Sequence, residues 1–307
     1  MAVALACALI LGSCSAAQSS TPPRVFGLSA QGPGSGVNAA VDTALRVGRE
    51  LDVVNFFEAW AWERPLNIDT LRRIDAAGAI PAVTWEPWDP GADIASREFA
   101  PAAIASGEYD DYITQWARAA VNYGLPMQIR FGHEMNGAWY PWAIGVGGTT
   151  ASEYIAAYRH VHDLFVREGA TAVQWVWSVD ASADRPAGQG IATSAYPGDA
   201  YVDLVGVDGY NGGAQGAYWQ QPNELFGPIL STVAEVAPDS DVWIYETGSG
   251  DANGDKGSWI RDLVTYLQGT AVTGLLWFDF AKDGEADWTL TTDPAVADAA
   301  ADALSSW

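Results

Sequence analysis

The stretch 130–142, RFGHEMNGAWYPW, brings together side chains that could move protons or bind a polar ligand. His133 and Glu134 are adjacent in it, and aromatic residues follow them closely. Glutamate and histidine act as general acids and bases, and histidine is also a common metal ligand. The residue types therefore predict a functional site that is built either on a metal or on carboxylate chemistry.

Motifs for a metal or for a nucleophilic serine do not fit the sequence. A zinc motif H-E-x-x-H would need histidine where Gly137 stands, and no G-x-S-x-G segment occurs. His160 and His162 are two residues apart on a predicted helix, so they face different sides and we interpret them as surface or packing residues. The segment 251–257 begins like a calcium loop, but Lys256 stands where that loop requires glycine. We expect no metal and no cofactor.

Paired carboxyl groups are the remaining chemistry. Glu134 and Glu246 each end an apolar run beside aromatic residues. Two carboxyl groups roughly 5–5.5 Å apart can cleave a glycosidic bond with retention, one as nucleophile and one as proton donor. An ion pair with arginine is the alternative for a single buried glutamate. Arg130 is interpreted either as a cation beside the nucleophile or as part of an ion pair inside the fold.

The segments around these residues alternate between strand-like and helix-like patterns. The apolar runs span 24–30, 52–60, 80–88, 126–134, 172–180, 202–210, 241–248 and 274–280. Helical patterns span 37–51, 67–78, 109–124, 149–169, 223–237 and 256–269. Thr150 and Glu153 predict a capping box at the start of one helix, and the segment 180–199 reads as a loop. This order predicts one α/β domain over 24–307, a single (β/α)8 TIM barrel.

A doubly wound sheet is the alternative fold, but no glycine-rich phosphate loop follows the first strand. In a barrel, functional residues gather at the carboxyl ends of the strands. Carboxylates, amides and aromatic residues are concentrated at the ends of the predicted strands here. Glu134 ends the fourth strand and Glu246 the seventh, so we expect them to face each other across the barrel mouth.

Three segments, RFGHEMNGAWYPW, VDGYN and YETG, resemble glycoside hydrolase family 26, a family of retaining (β/α)8 glycosidases. The similarity extends over nearly all of 24–307. The resemblance implies that Glu134 is the general acid/base and Glu246 the nucleophile. One departure is Thr247, where members of the family often have phenylalanine, and we expect it to change only the packing.

The resemblance also implies roles for neighbouring residues. His133 and Trp139 would contact the sugar or orient the acid, Tyr210 would hold the nucleophile, and Trp277 would form the floor of the subsite at the cleaved bond. To act as an acid near neutral pH, Glu134 needs a pKa raised by burial and by the opposing carboxylate.

The chain holds fifteen tryptophans, and flat aromatic faces can bind sugar rings as well as fill a core. Six lie on predicted strand-end loops, where a sugar platform and loop packing are both open interpretations: Trp60, Trp62, Trp85, Trp88, Trp142 and Trp219. Glu86, flanked by Trp85 and Trp88, is a stronger candidate for sugar binding than Glu58. Five others are interpreted as core: Trp116, Trp175, Trp177, Trp243 and Trp259.

The implied activity is that of a retaining endo-β-glycanase acting on β-mannan or on mixed-linkage β-1,3-1,4-glucan, and the segments WYPW and TWEPWD favour the glucan slightly. A noncatalytic polysaccharide-binding protein on the same scaffold is the alternative. With 38 acidic and 15 basic residues, the net charge is −23, which disfavours nucleic acid and anionic lipid as partners. We expect a monomer with a neutral polysaccharide as its partner.

The first residues predict export. Residues 1–13 read as a lipoprotein signal peptide, and LGSC at 11–14 resembles a lipobox that would lipidate Cys14. Ordinary secretory cleavage and an unprocessed buried segment are the alternatives. Residues 14–23 read as a flexible tether. We therefore expect an extracellular or lipid-anchored location on a bacterial cell surface, with membrane contact only through the anchor.

Overall fold

Eight parallel strands close into a barrel in the computed structural model, which describes residues 24–307 except 31, 33–34, 183–186, 213–218 and 282–285. Each strand pairs with the next along the chain, and β1 pairs with β8 from Val25 beside Gly274 to Ser29 beside Phe278. The fold prediction is therefore confirmed. The predicted signal peptide, the tether and Cys14 lie outside the described residues.

The strands occupy the predicted apolar runs. Their bounds are β1 Val25–Ser29, β2 Val53–Ala59, β3 Ile80–Glu86, β4 Met127–Phe131, β5 Val173–Asp180, β6 Leu204–Asn211, β7 Asp241–Ser249 and β8 Val272–Phe278. The largest difference is at β4, which ends three residues before the predicted end. Gly132 and Glu134 adopt positive φ angles of 55° and 53°, which turn the chain out of the strand.

Helices separate the strands and pack around the barrel. Their bounds are α1 Ser35–Arg46, α2 Ile68–Ala76, α3 Pro101–Ala105, α4 Asp110–Tyr123, α5 Ala151–Glu168, α6 Ala187–Ser194, α7 Pro222–Val236, α8 Lys256–Gln268 and α9 Pro294–Leu304. The capping box of Thr150 and Glu153 is present at α5. Over the ranges given above, no helix combines the length and the apolar character needed to cross a bilayer.

The segment 180–199 was expected to be a loop, and α6 shows that this expectation is wrong. Its glycines lower the intrinsic helix propensity and hide the helical pattern. Ala192 and Ala195 are nevertheless fully buried against the core. Tertiary packing, which a local pattern does not report, therefore supports the helix.

Two apolar layers pack against the barrel wall, one outside it and one inside it. The larger cluster lies between strands and helices and contains Trp116, Trp175, Trp177 and Trp259, as predicted. A smaller cluster includes Val53, Ala82, Val176, Leu204, Tyr245 and Leu276, with Trp243 packed against it. Because strand side chains alternate between faces, this smaller cluster shares the barrel interior with polar residues two positions further along the strands. The interior is therefore apolar at its base and polar towards the carboxyl ends of the strands.

Candidate active site

A cavity of about 580 Å³ opens at the carboxyl ends of the strands. Its size suits a ligand of several small rings. The lining residues come from the ends of β1 to β4 and β6 to β8 and are Ala30, Gly32, Phe57, Trp62, Arg64, Glu86, Trp88, Pro90, Glu134, Tyr140, Tyr210, Glu246, Phe278, Phe280 and Trp288. Both candidate catalytic glutamates are therefore brought to one cavity.

Glu134 reaches the cavity from a strained turn just after β4. Its φ of 53° lies in the left-handed region, which residues other than glycine rarely adopt. The Glu134 N–H donates to the carbonyl of Ser178 at 2.9 Å, which ties the turn to β5. The Trp139 indole N–H donates to Glu134 Oε2 at 2.5 Å. The turn and the indole together fix the position of this carboxyl group.

The surroundings of Glu134 favour its protonated form. Burial raises its pKa well above the usual value, and the negative charges of Asp180 and Asp208 raise it further. The Trp139 N–H and the Arg130 charge act in the opposite direction but are weaker. The sequence predicted the raised pKa, but the carboxylates that contribute to it are Asp180 and Asp208. This environment therefore suits a carboxyl group that donates a proton.

Glu246 lies on β7 in a contrasting environment. Arg130 Nη2 donates to Glu246 Oε1, and the Tyr210 hydroxyl donates to Oε2 at 2.6 Å. Both carboxylate oxygens thus accept hydrogen bonds, one of them from a full positive charge. This arrangement stabilises an ionised carboxylate that is open to the cavity.

Arg130 is fully buried inside the barrel and connects several strands. Its Nη1 donates to Asp208 Oδ2 at 2.8 Å, and its Nε and Nη2 donate to the Thr84 hydroxyl at 3.0 and 2.8 Å. The two interpretations of Arg130 therefore hold together, since it lies in an interior ion pair and also contacts Glu246. Burial raises the pKa of Asp208 to about 6 although Arg130 and Ser178 act against this shift.

His133 lies behind the cavity wall. Its Nε2 is 3.1 Å from the Tyr140 hydroxyl, and its ring contacts those of Tyr140 and Trp142. Burial and Arg130 hold its pKa well below the usual value, so the ring is neutral. Among the residues placed by the structure, Tyr140 lines the cavity and His133 does not. The structure thus places Tyr140, rather than His133, in position to touch a ligand.

Four tryptophans that were candidates for sugar binding are buried and do not line the cavity: Trp60, Trp85, Trp142 and Trp277. Adjacent strand residues point to opposite faces, so Glu86 and Phe278 face the cavity whereas Trp85 and Trp277 face the helices. Trp85 stacks on Trp116 at 4.5 Å between ring centroids. For these four residues the predicted contact with sugar is corrected.

The same four indoles support the site from behind. Trp142 Nε1 donates to the His133 carbonyl at 2.6 Å, and Trp142 stacks on Tyr140 at 4.2 Å. Trp277 Nε1 donates to the carbonyl of Trp288, a cavity residue, at 2.6 Å. Trp60 packs against Trp85 in the layer outside the barrel. Their contribution is to packing beneath the cavity lining.

Of the other candidates, Glu86, Trp88 and Trp62 line the cavity. Glu58 lies outside it and pairs with Arg64 at 3.6 Å. Trp219 is half-buried and packs against Gly212 and Gly254.

The aromatic cavity residues that the sequence analysis did not select are Phe57, Tyr140, Phe278, Phe280 and Trp288. Strand alternation could have identified Phe57 and Phe278. Phe57 shares a strand face with the buried Asn55, which lies two residues before it, and Phe278 faces the side opposite to its neighbour Trp277. Phe280 and Trp288 come from the segment after β8, where no periodic pattern applies. Their placement requires the tertiary structure.

The segment 251–257 uses its polar groups to fix a loop. Asp255 caps α8 by accepting from the Ser258 N–H at 2.6 Å, and Lys256 donates to the carbonyls of Asp287 and Thr289. Within the described ranges, no group of three or more His, Cys, Asp or Glu residues could hold a metal ion.

The predicted helical histidines have local partners. His160 pairs with Asp110 at 2.6 Å, and His162 packs against Trp175 and Tyr201.

Comparison with known sequences gives one family. The model of glycosyl hydrolase family 26 matches residues 102–247. Endoglucanase H of Acetivibrio thermocellus is 34% identical over 259 residues, which are 80% of this chain and 27% of that protein. Mannan endo-1,4-beta-mannosidase of Bacillus subtilis is 35% identical over 128 residues, 39% of this chain and 32% of that protein. The chain thus spans about a quarter to a third of the length of these curated relatives.

Solved structures share the fold at lower sequence identity. The catalytic domain of the GH26 endo-beta-1,4-mannanase from Bacillus sp. JAMB-750 gives a TM-score of 0.71 at 18% identity, with 92% of this chain and 86% of that one covered. The GH26 beta-mannanase of Bacteroides ovatus gives 0.68 at 16% identity, with 92% and 88% covered. At this identity the comparison supports the barrel architecture alone.

Proposed function

Because the chain belongs to glycosyl hydrolase family 26, we propose that it cleaves β-glycosidic bonds within a polysaccharide with retention of configuration. Glu246 is the nucleophile and Glu134 the general acid/base. The observation that carries this proposal is that both glutamates line one cavity in opposite environments. Glu134 is buried beside two further carboxyl groups, whereas Glu246 accepts from a guanidinium and a hydroxyl.

The first step forms a covalent intermediate. A carboxylate oxygen of Glu246 attacks the anomeric carbon, and the bond from that carbon to the glycosidic oxygen breaks. Glu134 gives its proton to the departing oxygen, which leaves as the hydroxyl of the released chain. The products of this step are a glycosyl ester on Glu246 and an ionised Glu134.

The second step returns the enzyme to its starting state. Water attacks the anomeric carbon while Glu134, now ionised, takes the proton from it. The ester bond breaks and Glu246 leaves as a carboxylate, which again accepts from Arg130 and Tyr210. Two inversions at the same carbon give net retention.

Replacement of the nucleophile tests the assignment. Glu246→Ala should reduce hydrolysis by at least about 10⁴-fold, because no group remains to form the ester. Added azide should enter the vacated space and give a glycosyl azide of inverted configuration, identified by NMR. Glu235→Ala, an exposed glutamate on α7, is the control and should keep full activity. Near-normal turnover by Glu246→Ala would overturn the assignment, and an inactive unmodified chain that still binds polysaccharide would favour the noncatalytic alternative.

We propose a β-glucan with β-1,3-1,4 linkages as the substrate. The relative that aligns with the largest part of this chain among those described is named an endoglucanase. The acidic groups of the cavity, Glu86, Glu134 and Glu246, also favour a neutral polymer. Release of reducing ends from barley β-glucan, with products resolved by chromatography, tests this proposal and distinguishes internal from terminal cleavage.

β-Mannan is the second candidate, because relatives named mannan endo-1,4-beta-mannosidase match a shorter part of the chain at similar identity. Galactomannan assayed beside barley β-glucan at equal mass separates the two. A kcat/KM at least tenfold higher on galactomannan would replace the glucan assignment.

Export and anchoring are a further proposal, supported by the residues LGSC at 11–14. We expect cleavage before Cys14 and a diacylglycerol on its sulfur in a bacterial host. Mass spectrometry of the amino-terminal peptide measures this, with Cys14→Ser as the control. An unmodified amino-terminal peptide that retains residues 1–13 would contradict it.

A further inference from the structure

Trp62 is unusual among the tryptophans of the described chain because its side chain is largely open to solvent. It is 43% exposed, while most others are buried, and it lines the cavity. Trp139, the other strongly exposed tryptophan in the part of the chain described, has a partner in Glu134. An indole left in water forgoes a large gain from burial, so its exposure next to a cavity indicates a binding role.

The loop that carries Trp62 is held in a strained shape. Glu63 has a φ of 49°, and it is one of three residues other than glycine that have a positive φ in the described ranges. Glu134 is another, and it lies at the centre of the proposed site. Strain of this kind persists only where neighbouring contacts enforce it, and it is concentrated at functional positions.

Those contacts come from α4. The Arg64 carbonyl accepts from Trp116 Nε1 at 2.9 Å and from the Tyr112 hydroxyl at 3.3 Å. Ala61 N–H donates to the Trp88 carbonyl at 3.2 Å. The loop between β2 and α2 is therefore tied to the buried aromatic layer, and Trp62 and Arg64 are presented from a rigid base.

The Arg64 side chain is oriented by two neighbours. Its guanidinium carbon lies 4.5 Å from the centre of the Trp62 ring, and Nη1 lies 3.6 Å from Glu58 Oε1. Burial raises the pKa of the Glu58 carboxyl group, and the charge of Arg64 acts against this shift. Arg64 is also the only lysine or arginine among the described residues that line the cavity. Its N–H groups are thus held at the rim as hydrogen-bond donors.

From these observations we infer that Trp62 and Arg64 form a distal sugar subsite at the β2 edge of the cavity. It would bind the neutral polysaccharide backbone, with one hexopyranose ring on the indole face that Arg64 leaves open and guanidinium N–H groups donating to hydroxyls of the adjoining unit. The subsite lies on the loop after β2, whereas Glu134 lies in the turn after β4 and Glu246 lies on β7. The subsite would therefore raise kcat/KM for long substrates and leave that for short ones nearly unchanged. This inference rests on the proposed glycanase function.

Kinetics on a ladder of oligosaccharides test the inference. The substrates are β-1,3-1,4-gluco-oligosaccharides from trimer to hexamer, or β-1,4-manno-oligosaccharides of the same lengths if mannan is the polymer cleaved. Trp62→Ala should lower kcat/KM on the hexamer about tenfold and on the trimer less than about twofold, because only the longer chain would fill the proposed distal subsite. Trp62→Phe, which keeps a flat ring, should recover most of the loss.

Arg64 is tested in the same ladder. Arg64→Ala should reproduce the length-dependent loss at about fivefold, and Arg64→Lys should not restore it, because lysine lacks the planar fork. Arg167→Ala is the matched control, since Arg167 is an exposed arginine with a weak ion pair to Glu168 on the outer face of α5. It should behave as the unmodified chain does at every length.

The outcomes separate the two proposals. An unmodified chain that cleaves neither series overturns the proposed function. A chain that cleaves them, but whose Trp62→Ala variant loses equally on trimer and hexamer or loses on neither, overturns the subsite alone. A length-dependent loss with Arg167→Ala unchanged supports it.

Discussion

Glu134 and Glu246 are the same residue type in the same cavity, yet the structure surrounds them differently. Glu134 sits in a strained turn, is buried, and has Asp180 and Asp208 nearby, so its pKa is raised and its protonated form is favoured. Glu246 lies on β7, where the register shifts, and accepts from Arg130 and Tyr210. Neighbouring side chains, rather than residue type, thus distinguish the proposed acid/base from the proposed nucleophile. Changes to those neighbours should therefore separate the two roles.

After the loss expected for Glu246→Ala, the largest effect should come from removing the proposed acid. Glu134→Ala should reduce hydrolysis of polysaccharide by about 10²–10⁴-fold, because the departing oxygen is no longer protonated. With a dinitrophenyl glycoside the first step should be nearly unaffected, since that leaving group needs no proton. Pre-steady-state release of dinitrophenol measures the first step. An equal loss on both substrates in that step would show that Glu134 is not the acid.

Arg130 should be needed for stability as well as for Glu246. Arg130→Met leaves two buried carboxyl groups without their cation and should lower the free energy of unfolding by about 3–5 kcal/mol. Arg118→Met, which breaks an exposed pair with Glu168, should lower it by less than about 1 kcal/mol. Urea unfolding followed by tryptophan fluorescence gives both values. Similar losses in the two variants would contradict the distinction between buried and exposed pairs.

The same substitution at the two glutamates should change stability in opposite directions. Glu134→Gln should raise the free energy of unfolding above pH 7, because it removes a buried group whose ionisation is unfavourable. Glu246→Gln should lower it by about 1–3 kcal/mol, because Arg130 loses an ionised partner.

The pH dependence follows from the sign of the shift at Glu134. Its pKa is raised in the folded chain, so below the unfolded pKa both states hold the proton and the substitution matters little. As pH rises through the folded pKa, the native chain loses stability relative to the Gln variant. Urea unfolding at pH 4 and pH 8 measures the difference. A Gln variant equally stabilised at both pH values would refute this explanation.

The smallest expected effect is on the pH profile. Asp180→Asn removes a negative charge that raises the pKa of Glu134, so the alkaline limb of kcat/KM should move to lower pH. Asp163→Asn, on the exposed face of α5, should leave the limb in place. An alkaline limb that moves to higher pH in Asp180→Asn would contradict the electrostatic account.

The sequence was informative about the fold and about the two glutamates at the centre of the candidate site. The hydrophobic pattern and the alternating order of strand-like and helix-like segments predicted the barrel. The positions of Glu134 and Glu246 at the predicted ends of the fourth and seventh strands predicted that they share one cavity. The errors arose where a side chain's direction decides its role. Trp85 was a candidate because of its position at a predicted strand end, and Trp277 through the family resemblance. Their neighbours Glu86 and Phe278 occupy the cavity instead, because strand faces alternate.

Other features depend on contacts between distant segments. Asp180 and Asp208 act on Glu134 only because β5 pairs with β4, and β6 with β5, in the closed sheet. The loop that carries Arg64 is held in place by the Trp116 indole N–H, which lies fifty-two positions away and donates to the Arg64 carbonyl. The α6 helix is supported by burial rather than by local propensity. No window of sequence contains this information.

Hydrogen bonds run from strand to strand around much of the barrel interior and end at Glu246. The successive pairs are Ser29–Asn55, Asn55–Thr84, Thr84–Arg130, Arg130–Asp208, Ser178–Asp208 and Arg130–Glu246. Residues of seven of the eight strands, β1 to β7, thus belong to one hydrogen-bonded network that includes the Glu246 carboxylate. Because these bonds link Glu246 to most of the strands, its hydrogen bonds should persist on heating until the closed sheet itself opens.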